Sequence, residues 1–176
     1  MCKISYEHLR KLWLEQTELY IKCTDDLIRG AYTLRNRLAE LIKAPEKWID
    51  PETSKQHRYI DIISLKTKAS SDNPQDLCES INAKGVLPVG LSIALDHNIN
   101  SYPKTLFHMP VALRYADKEL QFSLWNPELD EPEGKLNWTS DLDSFLSELL
   151  SQIEKYFAHD PYSGFDKQPQ FGFTKR

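Results

Sequence analysis

The chain has 176 residues, 40% of them hydrophobic and 27% charged, with a formal net charge of −4. That is a globular composition with enough length for a substantial core, which excludes wholesale disorder. There is no run of about 18 apolar residues, so no membrane-spanning helix is expected, and an acidic chain gains little from counterion release on nucleic acid.

The charge is uneven. Residues 1–68 carry 13 basic and 10 acidic side chains, and the remainder carry 9 and 16. The three cysteines, Cys2, Cys23 and Cys78, are widely spaced and odd in number. This pattern fits neither a disulfide framework nor a thiolate zinc site and suits a reducing cytoplasm. The N-terminus, MCKISYEHLRKLW, lacks the apolar segment of a signal peptide.

Residues 5–43 read as one long helix. Trp13, Tyr20, Leu27, Leu34 and Leu41 recur every seven residues, and Leu9, Leu12, Leu19, Cys23, Ala31 and Leu38 widen the stripe. Ser5 suits the N-cap and Pro45 the stop. At 1.5 Å per residue the helix spans about 55–60 Å, more than the diameter of a domain this size. Either Gly30 divides it, or part of it packs on another chain.

A proline-bearing connector, APEKWIDPETSKQH, leads to RYIDIISLK (58–66), whose β-branched and aromatic content predicts a strand. SSDNPQDLCESINAKG (70–85) predicts a short helix capped by Ser71, Asp72 or Asn73, with Pro74 in its first turn. Strands are expected at about 86–96, 105–116 and 119–126, with Asp117 and Lys118 at the tip of the last hairpin. NPELDEPEG (126–134) reads as an acidic loop. A final helix is expected after Thr139 or Ser140, where Leu142, Phe145, Leu146, Leu149, Ile153, Tyr156 and Phe157 follow a 3.6-residue period. The fold class is therefore α+β: a long N-terminal helix, a mainly antiparallel four-stranded sheet with helices on one face, and a C-terminal helix. Residues 1–160 form the expected domain, and 161–176 an aromatic tail.

Candidate chemistry follows from strand alternation. In VGLSIALDHN (89–98), Asp96 and His97 fall on opposite faces. Ser92, Asp96, His108 and Arg114 gather on the face of small residues, which a helix is expected to cover. A hydrolase using Ser92, His108 and Asp96 is one reading, although no G-x-S-x-G elbow is present. A second is a Mg²⁺-dependent nuclease with Asp61 beside the Glu133-x-Lys135 tripeptide, which requires 131–136 to be a strand adjacent to 58–66. His8, His57, His97, His108 and His159 have no ligand spacing, and no P-loop or dinucleotide fingerprint exists. No metal and no cofactor is expected.

Two features favour recognition. The over-long helix carries Trp13 and Tyr20, and a helix longer than its domain commonly finds a second chain. The tail carries Phe171 and Phe173 in alternation, suited to extended docking. The acidic residues Glu128, Asp130 and Glu131 suit a basic partner. The sequence is thus read as a non-catalytic, cytoplasmic, protein-binding accessory, regulatory or immunity- and inhibitor-like protein of bacterial or phage type. It is expected to be a homodimer, with neither membrane nor nucleic acid as partner.

Overall fold

The computed structural model describes residues 5–96, 102, 104–133 and 137–158, together with the backbone of 172–175. Its helices are α1 (Tyr6–Leu41), α2 (Pro74–Cys78) and α3 (Leu142–Ala158). Its strands are β1 (Lys47–Ile49), β2 (Gln56–Arg58), β3 (Ile60–Ile63), β4 (Val86–Leu95), β5 (Thr105–Ala116), β6 (Glu119–Asn126), β7 (Glu131–Glu133) and β8 (Gly172–Lys175). The fold is α+β.

Helix α1 runs unbroken through Gly30 for 36 residues, about 54 Å at the standard rise. The Ser5 hydroxyl accepts from the His8 amide at 3.2 Å and starts it. Lys43, in the left-handed region at φ 52°, turns the chain away after it. Gly30 does not break the helix because its role is close approach. A Cβ there would lie 2.5 Å from Leu120 Cδ2 and 3.2 Å from Leu113 Cδ2, so the missing side chain lets the helix settle on β5 and β6. That packing offsets the roughly 1 kcal/mol helix penalty of glycine.

The main sheet is antiparallel in the order β3-β4-β5-β6-β7. This path has five strands where four were expected, because β7 forms inside the acidic stretch, and β8 joins β5 beside it. Asn126 turns the chain there by accepting from the Glu128 and Leu129 amides at 3.0 and 3.2 Å, and Trp125 then pairs with Pro132. Strand β5 outruns β6. Its second half, Val111–Ala116, pairs with β6, and β8 pairs with its first half, Thr105–His108. The β5–β6 turn holds Asp117 and Lys118 both at positive φ, 53° and 67°, the backbone of a two-residue hairpin matched to strand twist. The connector after α1 is not featureless: β1 and β2 form their own antiparallel hairpin, with Trp48 opposite His57.

The helix caps adjust two expectations. Asn73 alone caps α2, accepting from the Gln75 amide at 3.1 Å. Helix α3 is started by Asp141, which accepts from the Asp143 and Ser144 amides at 3.1 and 3.3 Å. Thr139 instead bridges to Phe122.

Both long helices lie on one face of the sheet, as expected. The core joins Leu27, Ala31, Leu34 and Leu38 of α1 to Ile62, Leu91, Met109 and Phe107 of the strands and Phe145 and Leu149 of α3. Leu34 is fully buried. Leu34→Ala is expected to destabilise the fold by about 2–5 kcal/mol in guanidinium unfolding. The same truncation of exposed Leu129 stays within about 0.5 kcal/mol.

The opposite, small-residue face corrects the expectation of a covering helix. Val86, Ala112 and Trp125 pack there with Leu65 and Trp138, and the β1–β2 hairpin stands over the remainder. The reason lies in the connections. Both long helices contribute their apolar stripes to the bulky-residue core, and among the described residues the other face is reached by the short hairpin after α1 and by the segments around Leu65 and Trp138.

Candidate functional site

Two places on this frame carry exposed or unpaired chemistry. The first is the N-terminal half of α1. Packing on the sheet begins at Cys23, and Thr24 is the first buried residue of the helix. Residues 6–22 extend about 25 Å beyond it. The seven-residue row passes from covered to uncovered along this one helix: Leu34 and Leu27 are 0% and 2% exposed, whereas Tyr20 and Trp13 are each 65% exposed and Tyr6 is 79% exposed. Leu9, Leu12 and Leu19 widen the uncovered part, and Leu14 and Ile21 form a neighbouring row. On the polar side a surface pair, Lys11–Glu15 at 3.8 Å, contributes little, as exposed pairs do.

The second place is a cavity of about 240 Å³ on the small-residue face, between the sheet and the β1–β2 hairpin. Its floor is Asp61, Ile63, Ser92, Leu106 and His108. The close register there depends on Gly90, opposite Ile63 in the ladder. A Cβ on it would meet Ile63 Cγ1 at 2.6 Å, so glycine lets the Ile63 side chain lie against the strand. The aromatic wall is Trp48, stacked on His57 at 4.7 Å and tilted to Tyr102 at 6.4 Å. The hairpin tip is held by Asp50, whose carboxylate accepts from the Thr53 hydroxyl at 2.7 Å and the Glu52 amide at 2.8 Å. The Thr53 hydrogen bond foremost lowers the Asp50 pKa.

Asp61 behaves in the opposite way. Burial pushes its carboxyl pKa up, and the Ser70 hydrogen bond only partly counters it. The folded state therefore holds that proton to higher pH than the unfolded chain, and this contribution to stability declines as pH rises from 3.8 through the raised folded value. Asp61→Asn is expected to raise thermal stability at neutral pH. The gain should vanish below about pH 4, where the wild-type group is protonated in both states. Melting curves across that range check it.

The residues singled out in the sequence are distributed as follows. Ser92 lies between Asp61 on β3 and His108 on β5 in one cross-strand row. The carboxyl and the imidazole are thus two strand spacings apart, about 10 Å, and Asp61 does not orient His108. Asp96 lies four residues along β4 from Ser92, about 13 Å, and is engaged elsewhere with the Tyr59 hydroxyl and the Lys104 ammonium. The hydrolase set does not assemble. The nuclease set does not either: 131–133 is a strand, but β3 and β7 are opposite edges of the sheet, which separates Asp61 from Glu133 by about 19 Å. Lys135, His97 and Phe171 lie outside the described residues, and Phe173 is placed by backbone only, opposite Phe107. Glu128 and Asp130 lie in the exposed turn before β7, which Glu131 begins, and Asp130 pairs with Lys84 at 3.6 Å.

Among the described residues no group of three or more His, Cys, Asp or Glu is placed to hold a metal ion, and no helix is long and apolar enough to cross a membrane. The cavity's aromatic and basic wall was not foreseen in the sequence, although Lys47-Trp48-Ile49 and Gln56-His57-Arg58 flank a run of turn residues that announces a hairpin. No family model, curated protein or solved structure matches the chain.

Proposed function

We propose that the protein is a non-catalytic binding module, accessory or regulatory in role, that pairs with a second copy of itself through the N-terminal arm of α1. The observation that carries this reading is the uncovered half of the seven-residue row. Three aromatic rings, at about 150–250 Å² each, account for roughly 300–500 Å² of exposed surface. Leu9, Leu12 and Leu19 on one flank of the row add to it, toward the roughly 800 Å² per partner of a stable interface. A patch of that size on a monomer marks an interaction site.

A row spaced by sevens suits another helix with the same row. The second copy offers it at equal concentration, and twofold pairing is the commonest assembly. Tyr6 and Tyr20 lie seven residues either side of Trp13, so an antiparallel pair centred on Trp13 sets Tyr6 of one arm against Tyr20 of the other. Sedimentation equilibrium of the full chain tests the proposal. The expected mass is twice the 20.5 kDa of one chain. A single-chain mass up to about 100 μM, where even weak specific dimers associate, overturns it.

A further inference from the structure

The cavity under the β1–β2 hairpin carries a separate inference that does not depend on the arm. Three observations converge on one ligand chemistry. First, the wall is rich in donors and cations. Lys55 and Arg58 line it and make no ion pair among the described residues. Of the two carboxylates that line it, Asp50 is occupied by its own turn, and Asp61 lies on the floor, where its carboxyl accepts from the Ile62 amide at 2.9 Å and burial raises its pKa. Second, the Trp48 indole N–H is buried without a hydrogen-bond partner among the described residues. A buried donor left unpaired is costly, so an acceptor brought to it is favoured. Third, the floor and wall combine apolar side chains with rings, Ile63 and Leu106 with Trp48 and Tyr102. At about 240 Å³ the space is smaller than the roughly 300–1,000 Å³ of sites for drug-sized ligands, so the occupant is one ring with one acid group.

We propose that this cavity binds a small aromatic anion, its ring against Trp48 and the apolar floor, its carboxylate or phosphate on Arg58 and Lys55. The guanidinium fork matches either oxyanion in a bidentate manner. The ring supplies apolar burial that a bare inorganic anion lacks.

The test uses the ¹⁵N-labelled full chain and the indole N–H resonance of Trp48, assigned by its loss in Trp48→Phe. Benzoate and phenyl phosphate are titrated, with benzyl alcohol as the ring without charge and inorganic phosphate as the charge without a ring. At least one aromatic anion is expected to shift the Trp48 resonance saturably at millimolar concentration, and the tighter of the two identifies the acid group. Benzyl alcohol and inorganic phosphate are expected to bind about tenfold or more weakly. Arg58→Gln, which leaves every indole in place, is expected to weaken the aromatic anion by a similar factor with the remaining spectrum unchanged. Equal binding of benzyl alcohol or inorganic phosphate, an unaltered affinity in Arg58→Gln, or no saturable shift with either aromatic anion each overturns the proposal.

Discussion

Trp13→Glu combined with Tyr20→Glu is expected to abolish the proposed pairing of two chains, weakening association by roughly a thousandfold or more. Buried aromatic anchors at interface centres commonly contribute about 2 kcal/mol or more each, and about 1.4 kcal/mol is a factor of ten. Introducing a carboxylate into a desolvated seam adds a further penalty. The fold itself is expected to be untouched, because both residues are 65% exposed and precede the first buried residue of the helix, Thr24. Light scattering reads the association, and circular dichroism together with the melting curve of the variant reads the fold. Loss of the fold along with association would show that the arm packs on its own sheet, contrary to its exposure.

The largest effect of a charge change on stability is expected just past the end of β4. Lys104 keeps only 3% of its side-chain surface exposed and pairs with Asp96, which keeps 17%. The ammonium lies 5.3 Å from the centre of the Tyr59 ring, whose hydroxyl donates to Asp96 at 3.0 Å. Asp96→Ala removes the carboxylate that faces a buried cation and is expected to cost about 2–4 kcal/mol, less than for a wholly buried pair because Asp96 keeps some solvent. Lys104→Met is expected to cost less, since an apolar chain suits that interior better than an unpaired charge. The double variant should be less destabilised than the two single losses added together.

The pH dependence follows in sign. Burial pushes the Lys104 pKa down, but the hydrogen bonds to Asp96 and Tyr59 outweigh it and hold it above the usual 10.5. The pair's contribution is therefore complete below 10.5 and declines as pH rises through the folded value. In Asp96→Ala the contribution of Asp96 is lost while burial still acts, so Lys104 sheds its proton earlier than in wild type and the deficit narrows under alkaline conditions. Guanidinium unfolding at neutral and alkaline pH measures both effects. A deficit independent of pH would mean that the loss is one of packing alone.

Most secondary structure was legible because its signals are local. The row of sevens and Ser5 mark α1, turn residues bound the three long strands, and a 3.6-residue stripe marks α3. What escaped was short. Strands β1, β2 and β7 have three residues each, too few to show a period, and β7 contains a proline that an edge strand tolerates. They exist because longer elements offer them a place to pair or pack.

The candidate site was legible in unequal parts. Trp13 and Tyr20 stood out because a helix of that length outruns any small domain. The cavity did not, since Trp48, Arg58, Asp61 and Ser92 lie on four separate strands and meet only when the hairpin folds over the sheet. Sequence alternation correctly placed Ser92 and His108 on one face, but the third member of their row is Asp61, set by the β3–β4 register. Periodicity assigns a residue to a face and says nothing about which strand lies beside it.

The sequence by itself determined the fold class, the seven-residue period of α1 and the division of the long strands into a bulky and a small-residue face, because each follows from side-chain spacing along one element. The tertiary structure decided the strand order, which parts Asp61 from Glu133, the point at which α1 leaves the sheet, and the hairpin in place of a helix on the small-residue face. Those depend on contacts between segments far apart in the chain, and residues that alternate alike in sequence acquire different neighbours only when the sheet is assembled.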